Sequence, residues 1–105
     1  RCMQQDKPAR KRRSEQSLRM VEIRRAVASG RADERMQLEV QTAARTSNKR
    51  SYRVSMHLLL AKIYVQRGFG DAARGELEDI AALKANTQDI REAREMLEDM
   101  KKREA

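Results

Sequence analysis

The chain has 105 residues, of which 39% are hydrophobic and 38% are charged, with one proline, four glycines, two tyrosines and one phenylalanine. This length and composition predict one small all-α domain with a thin aliphatic core, and they exclude β-rich and collagen-like folds. Cys2 is the only cysteine, which excludes an internal disulfide and a cysteine-based metal site.

The net charge of +8 belongs to the N-terminal half of the chain. Residues 1–53 hold 15 Lys and Arg against 6 Asp and Glu, a net +9, whereas residues 54–105 hold 9 against 10, a net −1. Residues 1–13 lack apolar periodicity and are predicted to be a basic mobile tail. A contact with an anionic surface is expected of the tail's cations, which are Lys7, Arg10, Lys11, Arg12 and Arg13.

Residues 14–50 are predicted to form a degenerate helical hairpin. Its first helix spans residues 14–29 and ends at Gly30, because nothing in that range breaks a helix. Its second helix spans residues 32–45, with Asp33 and Glu34 in the first turn, where the helix dipole favours negative charge. The second helix has an apolar stripe at helical spacing, formed by Ala32, Met36, Val40 and Ala43.

Residues 51–86 are predicted to form a second, more regular hairpin. One helix spans about residues 51–67, the chain reverses at Gly68, and the next helix spans about residues 71–84 with Asp71 as its N-cap. Ala61 and Ala73 are small enough to let the two helices approach closely. The hairpin residues that carry this pattern are Leu60, Ala61, Tyr64, Gly68, Ala73, Leu77 and Ile80.

This pattern resembles a single tetratricopeptide repeat, over about residues 52–86. The resemblance implies a short tetratricopeptide-like α-solenoid of stacked antiparallel hairpins, in which flanking helices cover both sides of the repeat. An unrelated short helical bundle is the alternative.

Residues 87–105 are predicted to form a capping helix, over about residues 88–103, with Thr87 as a candidate N-cap. Its polar outer face suits a terminal position. Self-association is an alternative use of its apolar seam, which consists of Ile90, Ala93, Leu97 and Met100.

No pattern typical of catalysis is present, so we expect neither enzyme activity nor a cofactor or metal. Gly68 and Gly70 lack the spacing and the following lysine of a nucleotide-binding loop. His57 is the only histidine, and a role in packing or on the helix surface is expected for it. Glu76, Glu78 and Asp79 point to different sides of a helix, which argues against an acid–base pair.

The sequence therefore predicts a non-enzymatic scaffold that binds a partner protein within a larger assembly. In a repeat groove, the third helix would present Ser55, Leu58, Lys62, Val65 and Gln66 to the partner. Packing of Leu58 and Val65 against the hairpin of residues 14–50 is the competing interpretation.

The basic N-terminal half suggests two further hypotheses. One is a cytoplasmic location at the inner face of a membrane, as part of a bacterial membrane-anchored protein, because basic residues mark the cytoplasmic side of a span. The other is association with nucleic acid, which is less favoured because the basic tail has no aromatic residue for base stacking.

Overall fold

The computed structural model describes residues 18–104, and within this range every regular element is an α-helix. The predicted all-α class is confirmed. Helix α1 covers residues 18–28 of the described chain, and four more helices follow: α2 (Glu34–Thr46), α3 (Arg50–Gln66), α4 (Gly70–Ala81) and α5 (Gln88–Glu104).

Side-chain caps set the starts of α2 and α5. Asp33 lies just before α2, and its carboxylate accepts a hydrogen bond from the Met36 backbone N–H at 2.9 Å. The Thr87 hydroxyl accepts one from the Ile90 N–H at 3.3 Å, which confirms the predicted cap of α5. Each cap satisfies an N–H group that the first helical turn leaves without a partner.

The start of α4 differs from its prediction. The residue at the N-cap is Phe69, so the prediction that Asp71 caps α4 is wrong. Asp71 instead lies in the first turn, where its charge favours the helix dipole. The reason is the chain reversal: Gly68 adopts a φ of 85°, and α4 can then begin directly at Gly70.

Consecutive helices run antiparallel and pack against each other. Arg74 in the first half of α4 pairs with Glu104 at the end of α5 at 2.7 Å, and Gln37 in the first half of α2 accepts a hydrogen bond from Arg67, just after α3, at 2.5 Å. In each of these pairs an early position of one helix meets the end of the next, as antiparallel packing requires. Arg19 near the start of α1 likewise pairs with Glu39 of α2, across the short connection of residues 29–33.

Helices α1, α3 and α5 run parallel to one another. The Gln66 side-chain amide at the end of α3 donates to the Val27 carbonyl near the end of α1. Lys62 in α3 pairs with Glu92 in α5 at 2.5 Å, and Ser55 bonds to Asp89 one to two turns earlier in both helices. Helix α3 therefore lies in the middle, in contact with every other helix of the described chain.

Two apolar clusters meet on α3. The first joins α1, α2 and α3 and contains Ile23, Val27, Val40, Ala44, Met56, Leu59, Leu60 and Ile63. The second joins α3, α4 and α5 and contains Leu58, Ala61, Leu77, Ile80, Ile90, Ala93 and Leu97. A helix with apolar residues around most of its circumference is stable only when it is covered on several sides, and these neighbours supply that cover.

The residues that carry the hairpin pattern divide between the clusters. Leu60 packs in the first cluster with α1 and α2. Tyr64 also packs against the first cluster. Ala61 and Ala73 are both fully buried, as the close approach of α3 and α4 requires.

The apolar seam of α5 packs against other helices of the same chain. Ile90, Ala93 and Leu97 are buried against α3 and α4, and Met100 packs beside them. Self-association through this seam would require α5 to detach from α3 and α4, and it stays a prediction. Within residues 18–104, no helix has the combination of length and apolar character that crossing a membrane requires.

Replacing Ala73 by leucine should destabilise the fold by about 1–3 kcal/mol, because the larger side chain must force α3 and α4 apart. Ala72, next to it in α4, is exposed. The matched change Ala72→Leu should stay within about 0.5 kcal/mol of the parent. Urea unfolding of the three proteins measures both effects, and equal stabilities for the two variants would contradict the proposed packing.

Gly68→Ala and Gly75→Ala should change stability in opposite directions. At neither glycine would an added Cβ lie within 4 Å of an atom beyond the adjacent residues and the glycine's own helix backbone, so the local backbone conformation decides the effect. Gly68 has a positive φ, and alanine there should cost about 1 kcal/mol. Gly75 lies within α4, where alanine should add about 0.8–1 kcal/mol of stability. Thermal unfolding of both variants tests the pair, and a stabilised Gly68→Ala protein would refute the account of the turn.

Candidate functional site

The described residues offer grooves between helices rather than a cluster of reactive groups. In residues 18–104, no set of three or more His, Cys, Asp and Glu side chains is placed to hold a metal ion. His57 has a partner that the sequence did not indicate: its Nδ1 lies 2.7 Å from a Glu76 carboxylate oxygen. The two residues are 19 positions apart and on different helices, so helical spacing alone could not pair them.

One groove lies between the parallel helices α1, α3 and α5, and we call it the parallel-helix groove. It has a volume of about 430 Å³. Three residues predicted to face a partner, Ser55, Leu58 and Lys62, are part of its wall. The remaining wall residues come from all three helices and are Arg24, Ala28, Leu59, Gln88, Asp89 and Glu92.

Polar contacts between α3 and α5 shape this groove. The Ser55 hydroxyl donates to a carboxylate oxygen of Asp89, and the Lys62 ammonium contacts a carboxylate oxygen of Glu92 at 2.5 Å. Lys62 and Glu92 remain about one-third exposed, at 35% and 38% of their side-chain surface. Solvent screens such a pair, so it orients the two side chains more than it stabilises the fold.

The other predicted groove residues have different positions. Leu58 is only 4% exposed and belongs to the second cluster, so it supplies the floor of the groove and little accessible surface. Gln66 does not line the groove; its side chain accepts a hydrogen bond from the Ala32 N–H at 3.2 Å and donates to Val27. Val65 is 42% exposed. Leu58 therefore packs with α4 and α5 rather than in the cluster that contains α1 and α2.

A second groove lies between α3 and α4, and we call it the arginine groove. It has a volume of about 210 Å³ and is lined by Arg50, Arg53, Val54, His57, Asp79, Ile80 and Leu83. Its α3 residues recur at helical spacing and so share one face of that helix. An adjoining pocket of about 230 Å³ shares His57 and extends towards α2, where Gln41, Ala44 and Arg45 form its wall.

Arg19 and Glu39 form the main ion pair between α1 and α2. The Arg19 guanidinium donates to both Glu39 oxygens, with Nη2 at 2.5 Å and Nε at 3.1 Å and 3.2 Å. This hydrogen bonding lowers the pKa of Glu39 below its ordinary value of 4.5, against a smaller opposing effect of burial. The same hydrogen bonding raises the pKa of Arg19, so both groups remain charged at neutral pH.

The basic tail residues Lys7, Arg10, Lys11, Arg12 and Arg13 lie outside the described residues, so their contact with an anionic surface stays a prediction. Comparisons with protein-family models, with curated proteins and with solved structures found no match to this chain. The grooves and their chemistry are therefore the basis for assigning a function.

Acidification should remove the contribution of the Arg19–Glu39 pair to stability. Because the pKa of Glu39 is lower in the folded protein, the pair stabilises the fold above about pH 4.5 and loses this effect as the pH falls further. Carboxyl-detected NMR titration should place the pKa of Glu39 below 4.5 in the parent and closer to that value in Arg19→Gln. An identical Glu39 titration in the two proteins would show that the guanidinium has no influence.

Proposed function

We propose that this chain is a non-enzymatic protein-interaction scaffold, arranged as a short tetratricopeptide-like stack, which holds a segment of a partner protein in the parallel-helix groove. The observation that carries the proposal is the shared wall of that groove. Three helices from successive parts of the chain run parallel and contribute polar side chains to one surface. Pockets in which residues from several rigid helices converge are common binding sites in helical proteins.

The spacing of contacts between parallel segments supports the repeat arrangement. Contacts between the parallel helices join residues that are 39 apart (Val27 and Gln66), 34 apart (Ser55 and Asp89) and 30 apart (Lys62 and Glu92), so the offsets lie around 34. A tetratricopeptide repeat is 34 residues long. Equivalent positions of successive repeats would lie next to each other at this offset.

The two apolar clusters support the stack in another way. One repeat cannot bury both faces of its hairpin, so its neighbours must cover them. The hairpin of α3 and α4 is covered by α1 and α2 on one side and by α5 on the other. The outward residues of α5, including Arg91, Glu95 and Glu98, are exposed and charged, which suits a helix that ends a stack.

The charges of the groove favour a polypeptide as its ligand. The wall has two cations, Arg24 and Lys62, and two carboxylates, Asp89 and Glu92. A wall of mixed sign gives no net attraction for a polyanion, whereas it can pair with the polar groups along a peptide. A cytoplasmic location and attachment to a membrane-anchored assembly stay predictions.

Site-specific photocrosslinking tests the proposed groove directly. A photoreactive phenylalanine derivative in place of Ala28, which lines the groove, should give a crosslink to a partner protein in cells that express the chain. The same derivative in place of Ala72, which is exposed on α4 and outside the groove, is the control. Crosslinks of equal yield to the same protein at both positions, or at neither, would contradict the proposal.

A pair of charge reversals tests the same groove by affinity. Arg24 lines the groove, and the exposed residue Arg25 beside it does not. Arg24→Glu should weaken binding of the crosslinked partner by about tenfold, whereas Arg25→Glu should have little effect. Calorimetry with the purified partner measures both. Equal affinities would place the partner elsewhere on the molecule.

A further inference from the structure

The middle of the chain carries positive charge that no nearby carboxylate in the sequence offsets. From Val40 to Gly70 there are six Lys and Arg residues and no Asp or Glu. Four of the six are grouped where α2 ends and α3 begins: Arg45, Lys49, Arg50 and Arg53. No ion pair within 4 Å joins any of these four to a carboxylate of the described residues.

The backbone at the start of α3 adds to this positive region. The first turn of α3 has no acidic residue, and Lys49 at the N-cap makes no side-chain capping bond. The N–H groups of the first turn give this end of a helix a partial positive charge. The start of α3 therefore lacks the carboxylate that commonly offsets such a charge.

One of the arginines is held in place by the chain itself. Nη1 of Arg53 donates to the Ser47 carbonyl at 2.9 Å, which fixes its guanidinium at the edge of the arginine groove. Arg50 lies one turn earlier on the same face of α3 and is exposed. Fixed guanidinium groups are suited to bidentate recognition of a carboxylate.

The arginine groove also offers apolar surface. Its floor includes Val54, Ile80 and Leu83, and Val54 and Leu83 are only partly buried. An apolar side chain placed there would remove both from water, which is favourable.

We propose that the arginine groove is a second docking surface, and that its ligand is an acidic segment of a partner protein with a bulky apolar side chain next to its carboxylates. The carboxylates pair with Arg50 and Arg53, and the apolar side chain packs on Val54 and Leu83. This surface shares no lining residue with the parallel-helix groove, so the two can bind different segments.

The lining favours a peptide over nucleic acid. A phosphate backbone would use the arginines but would gain nothing from the apolar floor. Single-stranded nucleic acid is commonly held by aromatic side chains on which bases stack, but the arginine groove has no Phe, Tyr or Trp, and its His57 is held by Glu76. An acidic and apolar peptide uses both parts of the lining.

The two carboxylates nearby have distinct positions. Glu76 is already paired with His57. Asp79 lines the α4 wall and is not within 4 Å of either arginine, so neither guanidinium is paired with a carboxylate of the described residues. Asp79 repels a carboxylate on the α4 side and so directs the acidic part of the ligand to α3.

The test is a selection from a displayed library of random 12-residue peptides on the full chain, followed by affinity measurement of the enriched peptides by fluorescence anisotropy. The proposal expects enriched peptides that combine Asp or Glu with Leu, Ile, Met or Phe. Arg50→Glu should weaken their binding by about tenfold, and Asp79→Asn should strengthen it. Because an acidic residue in the first turn suits the helix dipole, Arg50→Glu is expected to fold.

Arg31→Glu is the matched control. Arg31 is exposed and lies in the connection between α1 and α2, and its replacement by glutamate changes the net charge as much as Arg50→Glu does. Its peptide affinity should equal that of the parent. The proposal is overturned if no acidic and apolar peptide is enriched, or if Arg50→Glu and Arg31→Glu weaken binding equally. If no peptide is enriched, but a 20-base-pair DNA duplex binds the parent and does not bind Arg50→Glu, the surface would be assigned to nucleic acid instead.

The same variants separate this proposal from the scaffold function of the parallel-helix groove. If the arginine groove binds no acidic and apolar peptide, crosslinking of a partner at Ala28 is expected to remain unchanged. If the crosslink at Ala28 is absent, the selected peptides are still expected to bind and to depend on Arg50.

Discussion

The fold depends on the burial of α3 from two sides. Its apolar residues divide between two clusters, with Leu60 and Ile63 facing α1 and α2, and Leu58 and Ala61 facing α4 and α5. A helix of this kind gains stability only when both sides are covered at once. The clusters share α3 as their common wall, so damage to either one exposes part of the same helix.

This burial also decides where binding surfaces can form. The α3 residues that no cluster uses face the gaps between neighbouring helices, and each gap becomes a groove. Ser55 and Lys62 face α5 across the parallel-helix groove, whereas Arg50 and Arg53 face α4 across the arginine groove. Both grooves therefore have rigid helical walls, and side chains on helices are held more precisely than those on loops.

Charges that are paired between helices and charges that have no partner have different structural consequences. In α3 and α5, opposite charges meet across the interface and set the register of two parallel helices, as Lys62 and Glu92 do. At the start of α3, the cations have no such partners among the described residues. Paired charges orient the helices and add only a little to the stability of the fold, whereas unpaired exposed charges remain available to a ligand.

The sequence by itself determined the helices, because periodicity and turn residues are local: α5, its cap Thr87 and the reversal at Gly68 were all predicted. Tertiary structure decided which face of each helix is covered. Leu58, a candidate for an open groove, is buried with residues of α4 and α5, and His57, for which helical spacing indicates no partner, lies 2.7 Å from Glu76. Helical spacing orders residues on one helix, but it carries no information on which other helix lies opposite, and that pairing sets both the core and the grooves.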